Sequence, residues 1–283
     1  MNLKKKLKYL LPVPVKKALK YISNLFQDII SYIKGTNSDG YPPKRLNFVG
    51  SSEFKKVGDE FVKYFKELGH LKQTDTVLDI GCGIGRMAIP LSKYITTGEF
   101  YGFDIDKTGI KWCRKNVSRK FPDFHFDYVD IFNKYYNKKG KIKADKFIFP
   151  YENNKFDFIF ATSVFTHMLP EQIIQYLAEI NRVVKPGGRC FLTWFSIDEE
   201  AQKHIAGHIS NCNFKYEYKY EDGVCFYSHK NLPEAEIGYK EDWIIKQLKK
   251  IDCNENLKIH HGSWSKRTNA LSYQDVFISE KKK

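Results

Sequence analysis

Apolar residues along this chain fall into two rhythms, and the rhythms alternate from residue 51 to 195. Phe54, Val57, Phe61, Phe65 and Leu68 recur at helical spacing and end at Gly69, a C-terminal stop. Val77, Leu78 and Ile80 then form a short continuous run, as in a strand buried on both faces. Met87, Leu91 and Tyr94 return to one helix face. A strand is predicted at 99–104, a helix over 107–120 with Ile110, Cys113 and Val117 inward, and a strand over 124–129. Phe156 to Ala161 reads as a fourth strand. Pro170 opens a helix through Ile173, Ile174, Leu177, Ile180, Val183 and Val184. A Lys185-Pro-Gly-Gly188 turn then leads to a fifth strand over 190–195. Strand and helix in alternation predict an α/β fold, a doubly wound sheet with right-handed crossovers. Residues 257–261 and 272–280 supply two more strands, close enough to pair antiparallel and bring the sheet to seven.

Three stretches break the rhythm. Residues 132–147 are a lysine-rich loop with little periodicity. Phe214, Tyr216, Tyr218 and Tyr220 alternate with charged residues, and Asp222-Gly223 signals a β-hairpin before 224–228. Residues 196–239 therefore read as an insertion on the substrate side, before a helix over 241–251. At the N-terminus, Val15, Leu19, Ile22, Phe26, Ile29 and Ile33 draw one apolar stripe along a helix. Pro12 and Pro14 separate it from a shorter stripe of Leu3, Leu7, Leu10 and Leu11. The turn formers of 35–43 follow, so residues 1–45 are expected to be a helical extension and linker on a domain over 46–283.

Composition changes this picture in two places. Six scattered cysteines with no Cys-x-x-Cys pair fit a reducing compartment and a cytoplasmic chain. The net charge of +14 invites nucleic acid, yet only seven of the 47 basic residues are arginines, the side chains that read phosphate and base edges bidentately. Half of that charge lies in residues 1–34, where eight lysines face the single acid Asp28. The charges exclude a membrane-spanning helix, and no cleavage site follows them. Two readings stand for this basic amphipathic helix. It lies on the anionic inner face of a membrane, or it packs on its own domain or on a second copy in a homodimer.

The chemistry concentrates between Val77 and Arg86. A strand, three glycines alternating with other residues and a helix start together make a cradle for an adenosine-type ligand. A nicotinamide fingerprint needs a third glycine where Arg86 stands, which argues against a dehydrogenase. Val-Leu-Asp79-Ile-Gly-Cys-Gly-Ile-Gly-Arg86 resembles the first motif of the class I S-adenosylmethionine-dependent methyltransferases. Gly102-Phe-Asp104 is similar to that family's acidic second motif, Phe156-Asp-Phe-Ile-Phe to its fourth strand, and Asn181 to Gly188 to the turn before its fifth. The resemblance covers about residues 50–195 and implies a Rossmann-like fold, S-adenosylmethionine as cofactor and methyl transfer as the activity. It further implies that Gly81, Cys82, Gly83, Gly85 and Arg86 surround the methionine and ribose of the cofactor. Asp79 would face its cationic end, and Asp104, beside Ile105, its ribose hydroxyls. Asp130 and Ile131 would lie at the adenine, with Ser163 completing the site. Trp264 to Glu280 resembles bacterial methyltransferases found near surface-sugar biosynthesis functions, which implies a glycan acceptor.

A sugar or other hydroxyl acceptor needs a base, worth about 10²–10⁴-fold. His167, just past the fourth strand, is the candidate, and the alternative is a packing or capping role for it. His260 and His261 alternate faces of one strand with no third ligand evident, so no metal is expected. Tyr218, His261, Trp264 and Arg267 are the candidate acceptor contacts, the aromatic rings stacking on a sugar or aromatic face. The expected function is O-methylation of a sugar, glycan or small-molecule hydroxyl. An RNA methyltransferase is the first alternative, although Ala161-Thr-Ser-Val stands where base methylation usually places a Pro-Pro-aromatic motif. The second is a non-catalytic, membrane-associated binding protein of the same fold.

Overall fold

Strand residues of opposite parity pack against different helices, and this sorts the whole core. The computed structural model describes residues 13–33, 40–46, 53–218 and 223–283. Among the described residues the first elements are α1 (Val13–Ile33), α2 (Phe54–Glu67), β1 (Val77–Ile80), the short α3 (Ala88–Leu91) and β2 (Phe100–Asp104). Next come α4 (Lys107–Cys113), β3 (Phe124–Tyr128), β4 (Phe156–Ala161), α5 (Pro170–Val183) and β5 (Val184–Trp194). Then follow β6 (Ser196–Ile197), α6 (Glu199–Ala206), β7 (Tyr216–Glu217), β8 (Cys225–Tyr227) and β9 (Ile237–Lys240). The last elements are α7 (Glu241–Lys250), β10 (Glu255–His260) and β11 (Asp275–Glu280).

The central sheet has the order β3-β2-β1-β4-β5-β11-β10. Its first five strands are parallel, and β11 runs antiparallel to both neighbours, the Rossmann-like arrangement expected from the alternation. Leu78, Ile159, Ala161 and Leu192 face α5 and α7, burying Ile173, Leu177, Ile244 and Leu248. Val77, Phe158, Phe160 and Phe191 face the other way, onto Phe65 of α2 and Ile110 of α4. Phe65 is fully buried among four rings, 4.5 Å from Phe160, 4.8 Å from Phe191, 5.5 Å from Phe158 and 6.1 Å from Phe61. Burial of such a side chain contributes about 1.5–3 kcal/mol, so the 3.6 spacing of α2 has a direct energetic basis. A buried ion pair, Arg189 to Asp75 at 2.8 Å, ties β5 to the approach to β1.

The insertion is more ordered than its sequence suggests. Beyond the expected hairpin, where Tyr216 pairs with Tyr227, the strands β6-β9-β8-β7 form a second small sheet. The hairpin tip, with Tyr220 and Asp222, lies outside the described residues, as do Leu3 to Leu11 and residues 35–39 of the linker. The helix expected over 107–120 is regular to Cys113 and then widens into a π turn over Arg114–Ser118. Helix α1 rests on the 3₁₀ turn Lys44–Leu46 through Asp28, with Asn24 donating to the Lys44 carbonyl (3.0 Å) and Gln27 accepting from Lys44 Nζ (3.1 Å). Asp28 accepts hydrogen bonds from the backbone of Lys44 (2.7 Å) and Arg45 (3.1 Å) and from the Arg45 guanidinium (3.0 Å). No helix among the described residues is long and apolar enough to cross a membrane.

Candidate active site

Parallel strands aim their C-terminal ends at one edge, and the chain leaves a crevice where β1 and β4 part in opposite directions. A cavity of about 920 Å³ occupies that place. Asp79, Gly81, Cys82, Gly83 and Arg86 line it from β1 and its loop, Asp104 and Ile105 from β2, and Ile131 from the end of β3. Ser163 and His167 close it from the segment after β4. Ten of the sequence-derived positions thus meet around one space.

The glycine loop is shaped for close approach. Gly81 has φ +75°, and a Cβ there would lie 2.5 Å from Val164 Cγ2, so only glycine fits. Gly83 has open space before it, while its N–H donates to Asp104 Oδ2 at 2.7 Å. Gly85 does not line the cavity; it packs against Cys113 beneath the loop. Asp104 also accepts from the Asp106 N–H at 2.6 Å, and burial pushes its carboxyl up to about 6. Asp79 is 2% exposed, and no hydrogen-bond donor reaches its side chain among the described residues. Burial, and then the neighbouring Asp104 charge, hold its carboxyl well above the ordinary range. A buried carboxylate without a partner, set in a cavity wall, fits a ligand that brings its own positive charge. Arg86 lies over the Phe54 ring at 5.3 Å, and its side chain forms a wall of the same space.

Asp130 takes a different place from the one expected. Its carboxylate accepts from Tyr128 Oη at 2.9 Å, and that hydrogen bond holds its pKa below the usual value. Its backbone carbonyl accepts from Lys141 and Ile142, so it anchors the loop over 131–142 rather than lining the cavity. Val129 and Ile131 on either side line it instead. Ser163, at φ +58°, donates its N–H to Thr193 Oγ1 at 2.8 Å and its hydroxyl to Gln274 Oε1 at 3.0 Å.

His167 has a defined tautomer. The Glu234 carbonyl can only accept, so Nδ1 carries the proton and donates to it at 3.0 Å. Nε2 is left as an acceptor, 3.3 Å from the Tyr136 hydroxyl. Burial pushes the imidazole pKa below its ordinary 6.5. Asn133 sets this arrangement. Its side chain accepts from the backbone of Tyr135 (3.0 Å) and Tyr136 (2.9 Å) and donates to the His167 carbonyl at 3.1 Å. Tyr135, Tyr136 and Asn133 belong to the lysine-rich loop, from which sequence reasoning drew no site residue. The adjacent pair of tyrosines amid lysines was the available signal. Gln274, Glu236 and, from the N-terminal segment, Tyr21, Asn24 and Arg45 are further lining residues that were missed.

The four expected acceptor contacts lie elsewhere. Trp264 is fully buried under the second sheet, 5.4 Å from both Phe195 and Phe214, and its Nε1–H donates to Asp275 at 2.6 Å. It is a core residue, because the loop that carries it folds inward onto β6–β9. Tyr218 packs beside Tyr227 at 6.5 Å, outside the cavity. His261 and Arg267 line a separate cavity of about 400 Å³. There His261 Nε2 donates to Glu241 at 2.7 Å, which raises its pKa, and lies 3.8 Å from Asp198. The fold thus supplies the acidic neighbours that the sequence did not show. The Arg267 guanidinium pairs with Asp198 and lies 3.6 Å from Glu200, which makes this corner an ion-pair cluster.

Residues 78–192 match a family model described as a methyltransferase domain. A probable methyltransferase of Aspergillus luteorubrus is 29% identical over 122 residues, covering 43% of this chain and 40% of that protein. The chain spans 40 to 48% of the length of such curated relatives. Among solved structures, a protein of Pyrococcus horikoshii superposes with a TM-score of 0.53 at 15% identity, over 89% of this chain and 98% of that one. A Burkholderia thailandensis 1,6-didemethyltoxoflavin-N1-methyltransferase, with 1,6-didemethyltoxoflavin and S-adenosylhomocysteine bound, gives 0.50 at 14% identity over 96% and 92%. With a methyltransferase domain matched from residue 78 to 192 and that sheet order around it, the chain has the fold of the class I S-adenosylmethionine-dependent methyltransferases.

Proposed function

We propose that the chain transfers a methyl group from S-adenosylmethionine to a hydroxyl of a small-molecule acceptor, both held in the 920 Å³ cavity. The observation that carries this reading is the unpartnered, buried Asp79 at the mouth of a glycine loop that only glycine can form. Asp79 would hold the cationic end of the cofactor, Asp104 its ribose hydroxyls, and Ile105, Val129 and Ile131 the faces of its adenine. The cofactor brings an electrophilic sulfonium methyl, so the protein's tasks are to orient the acceptor, exclude water and remove a proton.

His167 suits the last task. Its Nδ1–H is fixed on a backbone carbonyl, which leaves the Nε2 lone pair facing the cavity as a base for an acceptor hydroxyl. Tyr136 occupies that lone pair here, and an acceptor hydroxyl would take its place. The acceptor class carried forward from the sequence is a sugar or other small hydroxyl compound. The rings available to stack on it are Tyr135 and Tyr136, in place of Tyr218 and Trp264. The Burkholderia thailandensis protein of this fold holds its own acceptor, 1,6-didemethyltoxoflavin, together with S-adenosylhomocysteine, and methylates a nitrogen.

Calorimetry with S-adenosylhomocysteine tests the cofactor assignment, with Asp79→Asn as the variant that removes the buried charge. Binding by the wild type and at least about tenfold weaker binding by the variant is expected, roughly 1.4 kcal/mol. Absence of binding to folded wild type would refute the reading. Transfer of labelled methyl to nucleotide-sugars and other hydroxyl compounds then sorts the acceptors.

A further inference from the structure

Helix α1 presents an uncovered apolar face. Ile22, Phe26, Ile29, Ile30 and Ile33 recur at i, i+4, i+7, i+8 and i+11, and they are 47 to 76% exposed. Monomeric proteins rarely leave such a contiguous stripe in water without a partner. The same helix contributes Tyr21 and Asn24 to the wall of the large cavity, and Tyr21 is itself 40% exposed beside the stripe. The helix is seated by Asp28, whose carboxylate accepts three hydrogen bonds from Lys44 and Arg45.

Charge decides what covers the stripe. Residues 1–34 carry eight lysines, and their one acid, Asp28, is already spent on the chain's own 44–46 turn. A second copy along the stripe would bring a second segment of the same net positive charge to this one. An anionic lipid surface offers the opposite charge together with an apolar layer of the depth such a helix enters. We propose that α1 docks this chain on an anionic membrane by its Ile22–Ile33 face, and that this docking is coupled to the cavity which the helix walls. The coupling half rests on the cofactor reading above; the docking half does not.

The test uses the full chain. Co-sedimentation with vesicles of phosphatidylcholine alone and with added phosphatidylglycerol measures docking. Binding to the anionic vesicles only, weakened as salt shortens the Debye length, is the expected result. The double variant Phe26→Glu, Ile30→Glu changes two exposed residues outside the cavity, and it should lower the vesicle-bound fraction about tenfold. Absence of binding to anionic vesicles, or equal binding by the variant, overturns the proposal. So does a dimer in analytical ultracentrifugation that the double variant dissociates, because a second copy then covers the stripe. For the coupling, S-adenosylhomocysteine affinity is measured with and without anionic vesicles. A shift of about threefold or more in either direction supports it, and an unchanged affinity on vesicle-bound protein overturns it. A chain that docks on vesicles and binds no cofactor in solution retains the docking half and loses the cofactor reading, so the two failures are separable.

Discussion

Two carboxylates within one cavity wall are held by opposite means. Asp104 is hydrogen-bonded by two backbone N–H groups, while Asp79 is buried without a donor. Burial raises the Asp104 pKa to about 6, above its ordinary 3.8. A raised acid favours the folded state below its unfolded pKa and loses that contribution as pH rises through its folded value. This group therefore makes the ligand-free protein relatively more stable at about pH 4 than at pH 7. Ribose hydroxyls need the ionised form as acceptor, so S-adenosylhomocysteine affinity should fall as pH is lowered through about 6, which calorimetry across that range would read. His167 moves the other way. Its pKa is lowered, so the stability it contributes is present above the ordinary 6.5 and is lost as pH falls through its folded value. If it serves as the base, the acid limb of kcat/KM lies below 6.5, and His167→Gln lowers kcat about 10²–10⁴-fold. Tyr136→Phe should leave that limb in place. The glycine loop and its acids were legible in the sequence because a strand end and a turn are local. Tyr136 was not, because only folding brings residue 136 to the His167 ring.

Elements show the same division between local and distant causes. The parallel strands β1 to β5 and most of their helices were readable from period 2 against period 3.6. The helix read over 87–94 is only Ala88–Leu91, however, and the strand read from Cys190 begins at Val184. The strands β6 and β9 were missed. They are two and four residues long, and Ser196 finds its partner at Tyr239, far along the chain. Trp264 was misplaced for a related reason. Gly262-Ser-Trp-Ser-Lys reads as an exposed loop until Asp275 is seen to accept from Trp264 Nε1, from the Gly262 N–H and from the Ser196 N–H, each at 2.6 Å. That carboxylate joins the second sheet to β11. Trp264→Phe keeps most of the ring and deletes one donor to a buried carboxylate, so a loss of about 1–3 kcal/mol is expected in urea unfolding. Specific activity per folded molecule should be unchanged, in contrast to a residue that stacks on the acceptor.

At the scale of the whole molecule, burial and charge are partitioned. All six cysteines are free and buried, on the sheet faces and beneath the second sheet. A thiol reagent should therefore titrate at most Cys82, which lines the cavity, in the native state and all six after denaturation, and fast reaction of a second thiol would contradict this packing. Half of the net positive charge lies on residues 1–34, whereas the described cavity carries both signs, Asp79, Asp104, Asp106 and Glu236 with Arg45 and Arg86. That distribution was visible in the sequence as a lysine count, but its relation to the cavity was not. The seat of α1 depends on Asp28 meeting Lys44 and Arg45 across a linker, which no periodicity encodes.

The clamp at Asn133 has a consequence for how such a chain can be altered. One wall of the cavity is made by strand ends that also hold the sheet together, so its residues answer to stability as well as to the ligand. The opposite wall is carried by the loop over 131–147, fastened to the scaffold through the Asp130 carbonyl and through Asn133. The loop's ends are sunk in the core as well, Ile131, Ala144 and Phe147 being buried, with Phe147 against Phe103 and Tyr176, so its middle, residues 133–136, stands outside that packing. Substitutions confined to residues 133–136 would therefore reshape the far wall while the strand-end wall of Asp79 and Asp104 stays as it is.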